Sequence, residues 1–247
     1  MRVDILGIGF DDVTLAQAVA YTREIIDADK KAYVVTPNPE IVWRARTDGA
    51  LKAALEGAFL VLPDGVGITM GAKILGTPLS ARIPGIDFAS ALLKSLAADA
   101  GCIFLLGAKQ EVVNEAARRL KRDYPGIVIA GIHDGYFSND ERVVAQINET
   151  SPDVIFVCLG SPKQELWMAE NLQKLNTNLC IGLGGSLDVF AGVAKRAPTA
   201  FRVLGLEWFY RLIKQPSRIK RMIKLPLFLF MVIGRRITGK AKKTESF

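Results

Sequence analysis

Short runs rich in β-branched and aromatic residues recur along the chain, with stretches of helical periodicity between them. The runs predict strands at 3–6, 33–36, 59–62, 102–106, 127–130, 154–159 and 180–183. Several are continuously apolar, which suits strands covered on both faces, as in a parallel sheet. The 3.6-residue pattern predicts helices over about 14–28, 39–56, 66–75, 87–99, 110–123, 140–149 and 163–175. Strand–helix alternation of this kind predicts an α/β fold: a Rossmann-like, mostly parallel sheet flanked by helices. No internal repeat or long linker interrupts it. The pattern changes near Lys195, so residues 1–195 read as one α/β domain and 196–247 as a helical appendage.

The appendage differs in charge as well as in pattern. Residues 195–247 hold 14 Lys/Arg and 2 Asp/Glu, whereas the first 194 hold 18 and 23. A mildly acidic body with a strongly basic tail asks for an anionic partner. The longest apolar run, 225–233, is nine residues and contains Pro226. A spanning helix needs about 20, so this run cannot cross a bilayer. Arg211, Lys214, Arg218, Arg221 and Lys224 recur at three- and four-residue intervals, while Phe209, Leu212, Ile213, Ile219, Met222 and Ile223 fall towards the other side of an ideal helix. That is the pattern of basic amphipathic helices lying on an anionic membrane surface. Pro216 divides the region, so residues near 200–213 are expected to pack on the body and those beyond 217 to meet the membrane.

Composition narrows the chemistry. With 247 residues, 50% hydrophobic and 23% charged, the chain is neither disordered nor a disulfide-dense miniprotein. Three cysteines lack metal-ligand spacing and read as buried thiols, and one histidine, His133, leaves little material for a zinc site or a histidine triad. The first residues, MRVDILGIGF, are not a secretory signal, and the expectation is a cytoplasmic protein. Gly7-Ile8-Gly9 lacks the third glycine and acidic partner of a dinucleotide fingerprint, and no phosphate-loop motif is present. Asp27-Ala28-Asp29 reads as a solvated helix end, so no metal is expected.

Ligands of open α/β sheets gather at the carboxyl ends of the strands. Here those ends are followed by Thr36-Pro37-Asn38-Pro39-Glu40, Pro63-Asp64-Gly65-Val66-Gly67, Gly107-Ala108-Lys109, Gly131 to Phe137, Gly160-Ser161-Pro162-Lys163-Gln164-Glu165 and Gly184-Gly185-Ser186-Leu187-Asp188. Glycines let backbone approach a ligand, and loops feeding helices offer free N–H groups, so together they describe a cleft for a nucleoside diphosphate. Each has an ordinary reading too. Asn38 before Pro39 is a helix cap, Ser161 to Gln164 fits a capping box, and Asp64-Gly65 fits a turn.

TPNPE, PDGVG, the arginine of LSARIPGID, GYF, GSPKQE, GGSLDVFAG and KRAP occur in that order over about residues 1–200. Together they resemble the WecG/TagA/CpsF family of bacterial glycosyltransferases, family 26. LGLEWFYRLIKQPSRIKRM resembles the appendage of the family's wall-teichoic-acid branch. The resemblance implies transfer of N-acetylmannosamine from UDP to the 4-hydroxyl of a GlcNAc on undecaprenyl diphosphate, with inversion and with neither metal nor cofactor. It makes Asp64 the general base, places Thr36 and Asn38 on sugar or acceptor hydroxyls, and sets Arg82 on the leaving diphosphate. Gln164 and Gly185 match substrate positions, Asp188 one near the uracil and Tyr136 one near the nucleotide diphosphate. Arg211, Arg218 and Arg221 match appendage arginines that reach the acceptor diphosphate, in the same chain or in a partner of a homo-oligomer. Alternatives are the same family with another donor, such as a ManNAc uronate or a capsular sugar, and a nucleic-acid-binding module with a basic arm. Against the second, the tail's cations alternate with aliphatic residues rather than stacking aromatics. The expected partners are UDP-ManNAc, lipid-linked GlcNAc and an anionic membrane on the inner cell face, without nucleic acid.

Overall fold

The computed structural model describes residues 1–203, 205–214 and 224–239. Six parallel strands form the central sheet in the order β4-β3-β8-β7-β5-β6: β3 (Ala32–Val35), β4 (Leu60–Val61), β5 (Cys102–Gly107), β6 (Val128–His133), β7 (Val154–Cys158) and β8 (Leu179–Gly182). Every residue of β3, β7 and β8 is buried, as their unbroken apolar runs predict. The edge strand β6 alternates less cleanly and is half-exposed.

One predicted strand lies elsewhere. β1 (Arg2–Ile5) pairs with β2 (Ile8–Asp11) in a separate antiparallel hairpin. Leu6 and Gly7, both at positive φ, make its two-residue turn, which matches the twist of the flanking strands. Gly7-Ile8-Gly9 is therefore hairpin sequence, not a nucleotide loop. Val3, Ile5, Ile8 and Phe10 alternate along the hairpin and bury their side chains in the core.

Helices cover both faces of the sheet. On one lie α1 (Leu15–Asp27), α5 (Gly85–Ala97), α6 (Gln110–Asp123) and the short α9 (Ser186–Phe190), which the periodicity did not predict. On the other lie the hairpin, α2 (Pro39–Ala45), α3 (Gly49–Glu56), α4 (Val66–Leu75), α7 (Asp140–Thr150) and α8 (Lys163–Asn171). The single helix predicted over 39–56 is two, because the Asp48 carboxylate accepts from the Leu51 N–H and starts a new helix there. Asp27 and Asp29 lie at the end of α1, just before the amino end of β3.

The appendage contributes α10 (Thr199–Val203), α11 (Glu207–Lys214) and α12 (Lys224–Ile237). α12 does not simply present its apolar run outwards. Phe228 and Val232 are fully buried in the core cluster shared with α4 and the hairpin. Gly71 admits them: a Cβ there would stand 3.2 Å from the Phe228 ring. Leu227, Phe230, Ile233 and Ile237 face the other way, with Phe230 71% and Ile237 80% exposed. Pro226 falls in the first turn of α12, where a missing N–H costs nothing. Among the described residues, no helix is long and apolar enough to cross a membrane.

Phe228→Ala empties the contact between α12 and α4 and is expected to cost about 3–5 kcal/mol of docking. Hydrogen exchange should show lost protection over 224–237 with β3–β8 still protected; unchanged protection there contradicts this packing.

Candidate active site

A cavity of about 400 Å³ opens at the carboxyl ends of β3, β4, β7 and β8. Asp64 lines it from the loop after β4, at the entry to α4. Gly65 follows at φ 89°, a conformation that a side chain would strain, and lets the chain turn directly from Asp64 into the helix. Arg82 lines the same cavity from the loop before α5. That loop is pinned twice: the Ser80 N–H donates to Asp12 at 2.7 Å, and the Ile83 N–H to the Pro63 carbonyl at 2.9 Å. The Arg82 guanidinium donates to the Arg202 carbonyl of α10 at 3.3 Å, so the appendage helps to aim it.

Thr36 and Asn38 line the cavity, with local tasks as well. The Thr36 hydroxyl donates to the Gly182 carbonyl at 2.9 Å, tying the end of β3 to β8. Asn38 caps α2, its side-chain oxygen accepting from the N–H groups of Glu40 and Ile41 at 2.9 and 3.1 Å. Its amide nitrogen is the part that can meet a hydroxyl.

Gln164 is not the closing member of a capping box. Pro162 occupies the cap position of α8 with no side-chain bond. The Gln164 side-chain oxygen accepts from the Gly184 N–H, and its nitrogen donates to Glu165, both at 2.9 Å. Because the Gly184 N–H can bond only the oxygen, the amide orientation is fixed. Glu165, 1% exposed, is thus the buried end of a relay through Gln164 to the loop that carries Gly185. Its second oxygen is buried without a hydrogen bond among the described residues. Burial pushes the Glu165 carboxyl above the ordinary glutamate value, against the lowering effect of its Gln164 bond.

Of the remaining predicted residues, Gly185 lines the cavity, whereas Tyr136 and Asp188 do not. Tyr136 follows the edge strand β6, two strands away from β7, and is 76% exposed. On α9 it is Ser186 and Val189 that line the cavity, and Asp188 falls outside the lining. Arg211 lies on α11, but its side chain, with Arg218 and Arg221, falls outside the described residues.

Several lining residues were not expected at the cleft: Glu207 and Trp208 from α11, Arg44 from α2, and Lys224 and Leu225 from α12, of which Lys224 was expected among the membrane-facing cations. The appendage therefore walls the cleft of its own chain. Lys224 is held by Glu40 at 3.3 Å and Arg44 by Asp48 at 3.5 Å. The Lys224–Glu40 pair is 184 residues apart in the chain, so only the fold shows it.

The family model for glycosyl transferases of the WecG/TagA/CpsF family matches residues 3–242. The chain belongs to this family. Among similar proteins is one from Bacillus spizizenii, named N-acetylglucosaminyldiphosphoundecaprenol N-acetyl-beta-D-mannosaminyltransferase. It is 39% identical over 225 residues, which covers 91% of this chain and 88% of that protein. One of the same name from Staphylococcus aureus is 39% identical over 245 residues, covering 98% and 96%. The similarity extends through the appendage, so the walls from α11 and α12 lie within the region the relatives share.

The raised Glu165 value gives a signed prediction. The folded form holds this proton more tightly than the unfolded chain, so the stability it contributes is complete below pH 4.5, the ordinary value, and is lost as pH rises through the higher folded value. Melting of Glu165→Gln beside the parent should show the parent losing ground as pH rises from 4.5. A difference independent of pH argues against a buried titrating carboxyl.

Proposed function

We propose that this chain is an inverting, metal-independent glycosyltransferase that moves N-acetylmannosamine from UDP-ManNAc to the 4-hydroxyl of GlcNAc-diphosphoundecaprenol. The product carries a β-1,4 linkage and belongs to the linkage unit of wall teichoic acid. The observation that carries this reading is the convergence of Asp64, Arg82 and Gln164, from three separate loops, on one cleft in a chain this similar to mannosaminyltransferases. Asp64 takes the proton of the attacking hydroxyl as the new bond forms. The leaving UDP develops charge at the same moment, and Arg82 is a planar donor suited to pairing with it. Thr36 and Asn38 set the sugar-facing wall, Gln164 and Gly185 the donor side. Tyr136 and Asp188 need not touch the reacting groups.

Residues 1–195 act as the catalytic body and 196–247 as the part that meets the lipid. Arg211, Arg218 and Arg221 serve the acceptor diphosphate in this reading. The outward row Leu227, Phe230, Ile233 and Ile237 supports peripheral attachment to the inner face of the cell membrane, reinforced by the appendage's basic residues. Each such cation is worth about 1 kcal/mol near an anionic surface.

UDP release from UDP-ManNAc should require the lipid-linked GlcNAc acceptor, and Asp64→Asn should reduce turnover by about 10²–10⁴-fold. Near-parental turnover by that variant removes the base assignment, and preference for UDP-ManNAc uronate in a donor panel replaces the donor. For the membrane, Phe230→Ser with Ile237→Ser leaves the packed face of α12 intact. It should weaken co-sedimentation with phosphatidylglycerol vesicles by about tenfold or more. Equal binding excludes this face as the contact.

A further inference from the structure

Arg196, in the segment joining α9 to α10, bridges the body and the appendage. Its guanidinium donates two parallel bonds to Asp87, Nη1 to Oδ1 at 2.5 Å and Nη2 to Oδ2 at 2.6 Å. Asp87 stands in the first turn of α5, beside Gly85 and Ile86 of the cleft wall. On its other edge, the Arg196 Nε is buried and makes no hydrogen bond among the described residues. The Glu207 carboxylate lies 4.0 Å from that nitrogen. Glu207 is the first residue of α11 and lines the cleft.

A guanidinium is suited to this place. Its fork holds one carboxylate bidentately while Nε faces a second, which a lysine ammonium cannot do. Without it, Asp87 and Glu207 would both lose the positive charge of the guanidinium in a partly buried site. Burial opposes the charge on Arg196, but the bonds and charge of Asp87, and then the charges of Glu207 and Asp64, outweigh it. The chain just beyond also carries the Arg202 carbonyl that receives Arg82.

We propose that Arg196 is a positioning residue: a latch between Asp87 of the body and Glu207 of the appendage that holds α10 and α11 over the cleft and thereby aims Arg82. Its kinetic consequence rests on the glycosyl-transfer reading above; its structural consequence does not.

The test uses the full chain with Arg196→Met, Arg196→Lys and Arg196→Met/Glu207→Gln. Hydrogen exchange across 199–214 should rise about tenfold in Arg196→Met, with β3–β8 unchanged. With UDP-ManNAc and lipid-linked GlcNAc, kcat should fall about 10- to 100-fold. Affinity for UDP, by calorimetry, should fall as well, by about threefold or more, because Arg82 meets the UDP diphosphate in that reading. Arg196→Lys should be intermediate. Removing the Glu207 charge as well should recover part of the protection, which a simple packing defect would not do. Unchanged exchange over 199–214 in Arg196→Met overturns the latch. If Arg196→Met does not fold, Arg196→Lys decides: weakened protection confined to 199–214 supports the latch, and full parental protection and turnover overturn it. A parent that does not turn over UDP-ManNAc defeats the transfer reading, while the exchange result still decides the latch.

Discussion

At Gly67, three helices meet with no space for a side chain: a Cβ there would run into Leu225 of α12 and stand 2.6 Å from Pro39 of α2. One turn later Gly71 receives Phe228. The two small residues, four apart, put one face of α4 against α12 along its length. Because α4 starts immediately after Asp64 and Gly65, the helix that α12 grips is the one that fixes the loop of the candidate base. Lys224 and Leu225 reach the cleft wall by the same contact. Close approach at this face thus sets the wall and the base together, and a bulky residue at either glycine would displace both.

The strand β8 plays the corresponding part on the sheet side. Thr36, after β3, bonds the carbonyl of Gly182, and Gln164, after β7, bonds the N–H of Gly184. Loops from two neighbouring strands are therefore tied to the end of a third. A site that stabilises developing charge works by having its dipoles in place beforehand, and ties of this kind supply that order without consuming the whole side chain. Gln164 retains N–H capacity beyond the proton given to Glu165, and Asn38 retains its amide nitrogen.

The parallel sheet was legible because strands buried on both faces write continuous apolar runs, and the carboxyl-edge loops followed from the alternation. The hairpin was not: Val3–Ile5 reads alike in either sheet, and only the pairing of Ile5 with Ile8 separates it. Asp64, Thr36, Asn38, Arg82, Gln164 and Gly185 could be found by motif and do line one cleft. Tyr136 also matched a motif but follows an edge strand, and strand order is not written in local pattern. The pairings of Lys224 and Arg196 were hidden for a related reason. Their carboxylate partners, Glu40 and Asp87, lie far off in the chain, beyond any helical spacing.

Charge asymmetry in the sequence pointed outwards, to an anionic partner, yet part of it is turned inwards. Arg196, Lys224 and Arg235 of the appendage pair with Asp87, Glu40 and Asp4 of the body. All three pairs are partly exposed, and such pairs contribute about 0–1 kcal/mol each. Burial of Phe228 and Val232 contributes about 1.5–3 kcal/mol apiece, so apolar contact supplies the grip. The two pairs made by α12, Lys224–Glu40 and Arg235–Asp4, do something that apolar contact cannot: they favour one rotation and register of the helix over its neighbours. The acidic excess of the body and the basic excess of the appendage are then two halves of one docking code, with the remaining cations left for the lipid-bearing side in the proposed reading.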